Sequence, residues 1–205
     1  MTLNQPDNQP SDISERFTHE TYLVRRKILK LFGAAFHIYD SSRNVAFYSQ
    51  MKAFKLKEDI RLYTGEDMQT EVLAIQARQI IDFSSAYDVV DSATNTKVGA
   101  LKRKGMKSLL RGEWIIMDPE DEEIGVIRED SVFLGLLRRF LTNLIPQKYH
   151  GEFHNGQQVC LFRQNFNPFV MKIHLDFSMD KMSLLDRRLG IAGAVLLCAI
   201  EGRQG

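Results

Sequence analysis

The chain has 205 residues, 44% of them hydrophobic and 26% charged, with a formal net charge of +1. That length suits one domain with a sizeable core and no need of disulfide or metal staples. The near-neutral balance argues against a nucleic-acid partner, and any anion-binding surface has to be a local patch. Two cysteines, Cys160 and Cys198, are too few for a disulfide framework and point to a reducing, intracellular compartment.

Residues 1–16 are polar and rich in Pro, Asn, Gln and Ser, which predicts a disordered tail before a single domain over 17–205. The start, Met1-Thr-Leu-Asn-Gln-Pro, has neither a basic region leading into an apolar run nor a glycine at position 2. Neither a signal peptide nor N-myristoylation is expected.

From Tyr22 onward short alternating runs follow one another, among them Phe36-His-Ile-Tyr, Val45-Ala-Phe-Tyr, Ile60-Arg-Leu-Tyr, Val72-Leu-Ala-Ile, Trp114–Met117 and Val159–Phe162. Turn residues such as Asp40–Asn44 and Thr64–Asp67 separate them, the pattern of an antiparallel sandwich or barrel. Asn155-Gly156 predicts a two-residue hairpin turn. A degenerate repeat underlies the strands: Phe36-x-Ile38-x-Asp40, Tyr87-x-Val89-x-Asp91 and Trp114-x-Ile116-x-Asp118. Basic stretches before the first and third copies also match, Arg26-Lys27-x-x-Lys30 against Arg103-Lys104-x-x-Lys107. Repeated hairpins manage their edges by closing into a barrel.

Over Val132–Ile145, Phe133, Leu137, Phe140, Leu141 and Leu144 fall at helical spacing between Ser131 and Pro146, predicting an amphipathic helix. The final run, Leu189–Ile200, is apolar on every side, so it has to be buried all round. Its 12 uncharged residues fall well short of the ~20 that span a bilayer. Burial inside protein is the expectation, with Leu189, Ile191, Val195, Leu196, Leu197 and Ile200 as helix core. A barrel of about a dozen strands has an interior too wide for wall side chains alone to fill, and this helix is the natural plug.

Taken in order, Tyr22-Leu-Val-Arg-Arg-Lys, Phe36-His-Ile-Tyr-Asp, Tyr87-Asp-Val-Val-Asp, Val98-Gly-Ala-Leu-Lys-Arg-Lys, Trp114-Ile-Ile-Met-Asp and Ile124-Gly-Val-Ile-Arg-Glu-Asp resemble the LURP-one-related proteins. So does Asp186-Arg-Arg-Leu-Gly-Ile-Ala-Gly-Ala-Val-Leu-Leu. The likeness runs from about residue 20 to 202. That family belongs with phospholipid scramblases in the Tubby C-terminal-like superfamily. The resemblance implies a mainly β fold, a closed antiparallel barrel of about 12 strands around a central buried hydrophobic C-terminal helix.

Three groups of residues are candidate sites. Lys102, Arg103, Lys104, Lys107 and Arg111, with Arg25, Arg26, Lys27 and Lys30 in the matching copy, are expected to form a positive concavity at one end of the barrel for phosphates or anionic headgroups. Phosphoinositide binding by Tubby domains lends that reading support through the resemblance. The same residues also read as a solvated strand face balanced by the acidic Glu120–Glu123 turn. Asp176, Asp180 and Asp186 lie where scramblases carry a proposed calcium-binding segment. They are too sparse for a calcium loop and fit capping of the terminal helix better. His150 and His154 approach a turn, while His37 and His174 occupy separate strands, so no zinc ligand set forms. No nucleophile elbow, P-loop or dinucleotide fingerprint occurs.

The sequence therefore predicts a non-catalytic, cofactor-free module that binds anionic phospholipid headgroups or a protein partner at a membrane surface. Its expected location is cytoplasmic and peripheral to the membrane. The alternatives are a scramblase-like transporter with a membrane-inserted C-terminal helix, and a protein-interaction scaffold with no lipid role.

Overall fold

Side chains that alternate in the sequence alternate in space: Tyr22, Val24 and Arg26 are buried, whereas Arg25 and Lys27 are exposed. This is the period-two mark of a strand with one face on a core. The structure, a computed structural model, describes residues 10–29, 33–51, 59–78, 86–104, 113–130, 147–165 and 170–200. Among them twelve strands run in order: β1 (Thr21–Leu29), β2 (Gly33–Tyr39), β3 (Val45–Met51), β4 (Ile60–Tyr63), β5 (Glu71–Ala77) and β6 (Ala86–Asp91) make the first half. The second half is β7 (Thr96–Arg103), β8 (Trp114–Met117), β9 (Glu123–Glu129), β10 (Lys148–Phe153), β11 (Gln158–Gln164) and β12 (Met171–Asp176). Two helices are described, α1 (Pro10–Glu15) and α2 (Arg187–Ile200).

Each strand neighbours the next, and β12 returns antiparallel to β1, from Thr21↔Asp176 to Arg26↔Met171. The sheet is a closed barrel, as expected, in which every described strand has a neighbour on both sides, β3 and β4 meeting at Tyr48↔Tyr63.

The repeat seen in the sequence is a repeat of turns. In the β2–β3 turn Asp40 Oδ1 accepts from Asn44 N at 2.9 Å, and Arg43 sits at φ 67°. In the β8–β9 turn Asp118 Oδ1 accepts from Glu122 N at 2.8 Å, and Asp121 sits at φ 70°. Asp91 does the related job between β6 and β7, its Oδ1 taking Ala93 N and Thr94 N at 2.9 and 3.0 Å. A short carboxylate at the strand end closes its own turn and leaves the left-handed residue affordable. At Asn155-Gly156 the turn is present but is not the expected two-residue form. Gly156 N donates to Phe153 O at 2.9 Å and Phe153 N to Gln157 O at 3.0 Å, with Gly156 in the left-handed region at φ 81°.

Helix α2 threads the barrel. Every side chain described along it from Leu189 to Ala199 is buried, including the predicted core residues Leu189, Ile191, Val195, Leu196 and Leu197; the side chain of Ile200 lies outside the described residues. Walls contact it from several directions: Phe177 lies against Gly190, Ile127 and Phe162 against Gly193, and Leu189 against Gly99. Among the described residues no helix is long and apolar enough to cross a membrane.

One expectation is corrected at the N-terminus. The tail of residues 1–16 is structured from Pro10, because α1 places Ile13 on the core, and Phe17 stacks on Phe47 with ring centroids 4.6 Å apart. Arg16 Nη1 ties the segment down by donating to Thr64 O at 2.9 Å and Ala46 O at 3.2 Å. The helix predicted over 132–145 lies outside the described residues.

Candidate functional site

Strand direction places the C-terminal ends of β1 and β7 at the same end of the barrel, but the two strands stand six apart in a ring of twelve. The two basic clusters therefore occupy opposite walls, and their described members do not form one concavity. Lys30, Lys107 and Arg111 lie outside the described residues. Lys102 is half-buried on the outer face, paired in register with Ala86 and Ile115. Arg103 is paired with the buried Trp114, on the inward side with Leu101. Lys104 is exposed and bound to Glu113 at 2.7 Å.

Arg26 corrects the expectation outright. Period two carries it inward behind Tyr22 and Val24, where it is 7% exposed, and its Nη1 donates to the carbonyl of Cys198 at 3.0 Å. A cation at the C-terminal end of a helix meets unpaired carbonyls and the negative pole of the dipole. This arginine secures the central helix and takes no part in a surface patch.

Closure of β12 onto β1 creates a basic surface that linear reading missed. Arg25 is directly opposite Lys172 on the outer face, and Lys148 is directly opposite Arg163 on β10 and β11. His174 stands between them, opposite both Arg163 and Leu23. Like charges directly opposite in a sheet are destabilising. None of Arg25, Lys27, Lys148 and Lys172 has a carboxylate partner among the described residues, and Arg163 has only Asp176 at 3.9 Å. The acidic counterweight is elsewhere: the β8–β9 turn carries Asp118, Glu120, Asp121, Glu122 and Glu123. There Asp121 is held below the usual carboxylate range by hydrogen bonds from Arg78 and Lys97.

The acidic segment before α2 is a structural collar, as the capping reading expected. Asp186 is the N-cap, its Oδ1 accepting from Arg188 N at 2.9 Å. Arg188 then bridges to Asp91 Oδ2 at 2.6 Å, fastening the helix start to the β6–β7 turn. Asp180, fully buried, accepts from Leu184 N, Leu185 N and Arg187 Nη1 at 2.9, 3.0 and 2.8 Å. Arg187 in turn lies 4.3 Å over the Phe177 ring. Both carboxylate oxygens of Asp180 and of Asp186 are thus engaged by donors of the protein itself.

The histidines are dispersed. His37 meets Glu66 at 2.9 Å, His154 Nε2 donates to Glu123 O at 2.7 Å, and His150 contacts Asp130. Among the described residues no three His, Cys, Asp or Glu side chains assemble as a ligand set. Cys160 and Cys198 are free, and burial pushes both thiols up to about 12. A cleft of about 380 Å³ lies beside the β2–β3 turn, lined by Glu15, Arg16, His19, Asp40 and Asn44. Arg16 and Asp40 there already serve the local fold through the bonds described above.

No curated protein matches the chain. A solved structure of a protein from Arabidopsis thaliana aligns over 89% of this chain and 92% of its own, at 12% identity and a TM-score of 0.47. The family model for LURP-one-related proteins matches residues 45–185. That is well over half of the sequence, and the chain belongs to the LURP-one-related family, in the superfamily of Tubby-like proteins and scramblases.

Proposed function

We propose that this protein is a non-catalytic binding module for anionic phospholipid headgroups, and that its contact surface is the outer wall of β10, β11, β12 and β1. One observation carries the reading: two like-charge cross-strand pairs, Arg25↔Lys172 and Lys148↔Arg163, stand side by side on that wall. A sequence selected for stability alone would set a carboxylate opposite at least one member of each pair. A bilayer bearing anionic lipid supplies the missing negative charge, at a gain that accumulates with each lysine and arginine brought near its surface. The helix that a lipid transporter would insert is enclosed by the barrel, which favours binding over transport.

Co-sedimentation with phosphatidylserine-containing vesicles tests the reading. Arg25→Glu with Lys172→Glu is expected to abolish pelleting, whereas Lys104→Glu, on the opposite wall, leaves it unchanged. Equal pelleting by all three proteins removes the wall from consideration.

A further inference from the structure

Among the described residues Met182 and Leu184 are the large apolar side chains left in the open, at 71% and 48% exposure. A lone exposed leucine means little. These two share one loop, 177–186, whose backbone is fixed. The buried Asp180 carboxylate holds the amides of Leu184 and Leu185, and Ser183 N donates to Asp180 O at 3.1 Å. Ser183 is kept in the left-handed region at φ 52°, a conformation that L side chains rarely adopt. Leu185 is buried at 2% exposure, so the loop sorts its apolar residues to two sides.

The loop lies at the junction of β12 and β1. Phe177 N donates to Glu20 O at 2.8 Å, and Lys181 Nζ reaches Glu20 at 3.4 Å. The basic wall begins at the same place: Arg163 contacts Asp176, the last residue of β12, while Arg25 stands four residues along β1 from Thr21, about 13 Å at strand rise. The acidic β8–β9 turn lies at the same end of the barrel, three to four strands round from β12 and beyond the β10 edge of the wall. Docking on the β12–β1 side brings the cations and the apolar tip to an anionic plane together, with the acidic turn beyond the far, β10 edge of the wall.

We propose that loop 177–186 is a preformed apolar wedge: the barrel docks side-on to an anionic bilayer, Met182 and Leu184 enter the boundary between headgroups and acyl chains, and the wall of Arg25, Lys172 and Arg163 covers the headgroups. This rests on the lipid-binding reading above. A bilayer fits better than an acidic peptide, because cations spread over a wall beside an apolar tip match a plane. Fixing the tip in advance removes the ordering cost of inserting a mobile loop.

Cys160 and Cys198 are buried, so in a Met182→Cys protein an environment-sensitive fluorophore attaches at position 182. On vesicles containing phosphatidylserine its emission is expected to shift to the blue and to be quenched by brominated lipid. With phosphatidylcholine alone it should not change. Met182→Ser with Leu184→Ser, both solvent-facing changes, should keep the parent melting temperature and weaken vesicle partitioning about tenfold. If the double serine protein pellets like the parent and the label stays in water, while Arg25→Glu with Lys172→Glu abolishes pelleting, the wall reading stands and the wedge is overturned. If the parent pellets with no vesicle, or binds an acidic polypeptide and no vesicle, both fall.

Discussion

A methyl group added at Gly190 measures how tightly the helix is held. Its Cβ would stand 2.4 Å from Phe177 Cζ and 2.5 Å from Cε1, where carbon atoms settle at about 3.5–4.0 Å. The ring would have to retreat by more than an ångström. It is 1% exposed, with the Arg187 guanidinium 4.3 Å from its centroid and the Tyr22 ring edge-on at 6.2 Å. Overpacking costs about 1–3 kcal/mol, and this rigid site belongs at the upper end. Alanine recovers about 1 kcal/mol of helix propensity over glycine, leaving Gly190→Ala destabilised by about 2 kcal/mol. At about 2–4 °C per kcal/mol for a chain of this size, Tm falls by about 4–8 °C. Thermal and urea unfolding followed by circular dichroism would read it. Gly193→Ala is the control, because its nearest neighbour is the terminal methyl of Ile127 at 3.1 Å, which can move. That change should stay within about 0.5 kcal/mol of the parent. Combining Gly190→Ala with Phe177→Leu should be less damaging than the sum of the two, by about 1 kcal/mol or more. If Gly190→Ala is as stable as Gly193→Ala, the packing described around Phe177 is wrong.

Leu196→Asp buries an unpaired carboxylate inside the barrel and should yield no soluble, folded protein; a cooperative melt from this variant would refute the enclosed helix. Asp180→Ala strands Arg187 and two loop amides, so urea unfolding should show a loss of about 3–5 kcal/mol. Arg26→Met keeps the apolar stem and removes the donor to Cys198 O, for a loss of about 1–3 kcal/mol in the same assay, and an unchanged midpoint would mean that the helix end is held otherwise. Burial raises Cys160 and Cys198 from 9.0 to about 12 in the folded protein. Their contribution to stability is therefore complete below pH 9 and lost as pH rises toward 12; urea midpoints should fall over that range, and Cys160→Ala with Cys198→Ala should flatten the fall.

The barrel and its plug were legible because both are periodic. Alternation marks the strands, the acids at 40, 91 and 118 mark the turns, and a helix apolar all round has to be enclosed. Arg26 was misplaced even though the signal was present: Tyr22-x-Val24-x-Arg26 keeps one parity, which carries the third side chain inward with the first two. Its charge outweighed its position in the linear reading. The Arg25↔Lys172 pair could not be found that way, because the two residues are far apart in sequence and meet only when the last strand joins the first. Met182 and Leu184 look like ordinary apolar loop residues until Asp180 is seen to fix the backbone between them. The described residues of the tail misled for the opposite reason, since its polar composition conceals Ile13 and the Arg16 anchor.

The β12–β1 junction also sets the order in which the chain can be completed. Thr21 waits for Asp176, and the barrel interior is filled by α2, which follows β12 in the chain. Until that segment arrives, the nascent sheet has two free edges and an unfilled apolar lining, the condition in which strands pair with the wrong neighbour. Contacts spanning most of the chain also make closure slow. The interval between the pairing of β11 and the arrival of β12 and α2 is the one in which wrong strand pairing is most exposed, and a chaperone that shields open sheet edges would act in it.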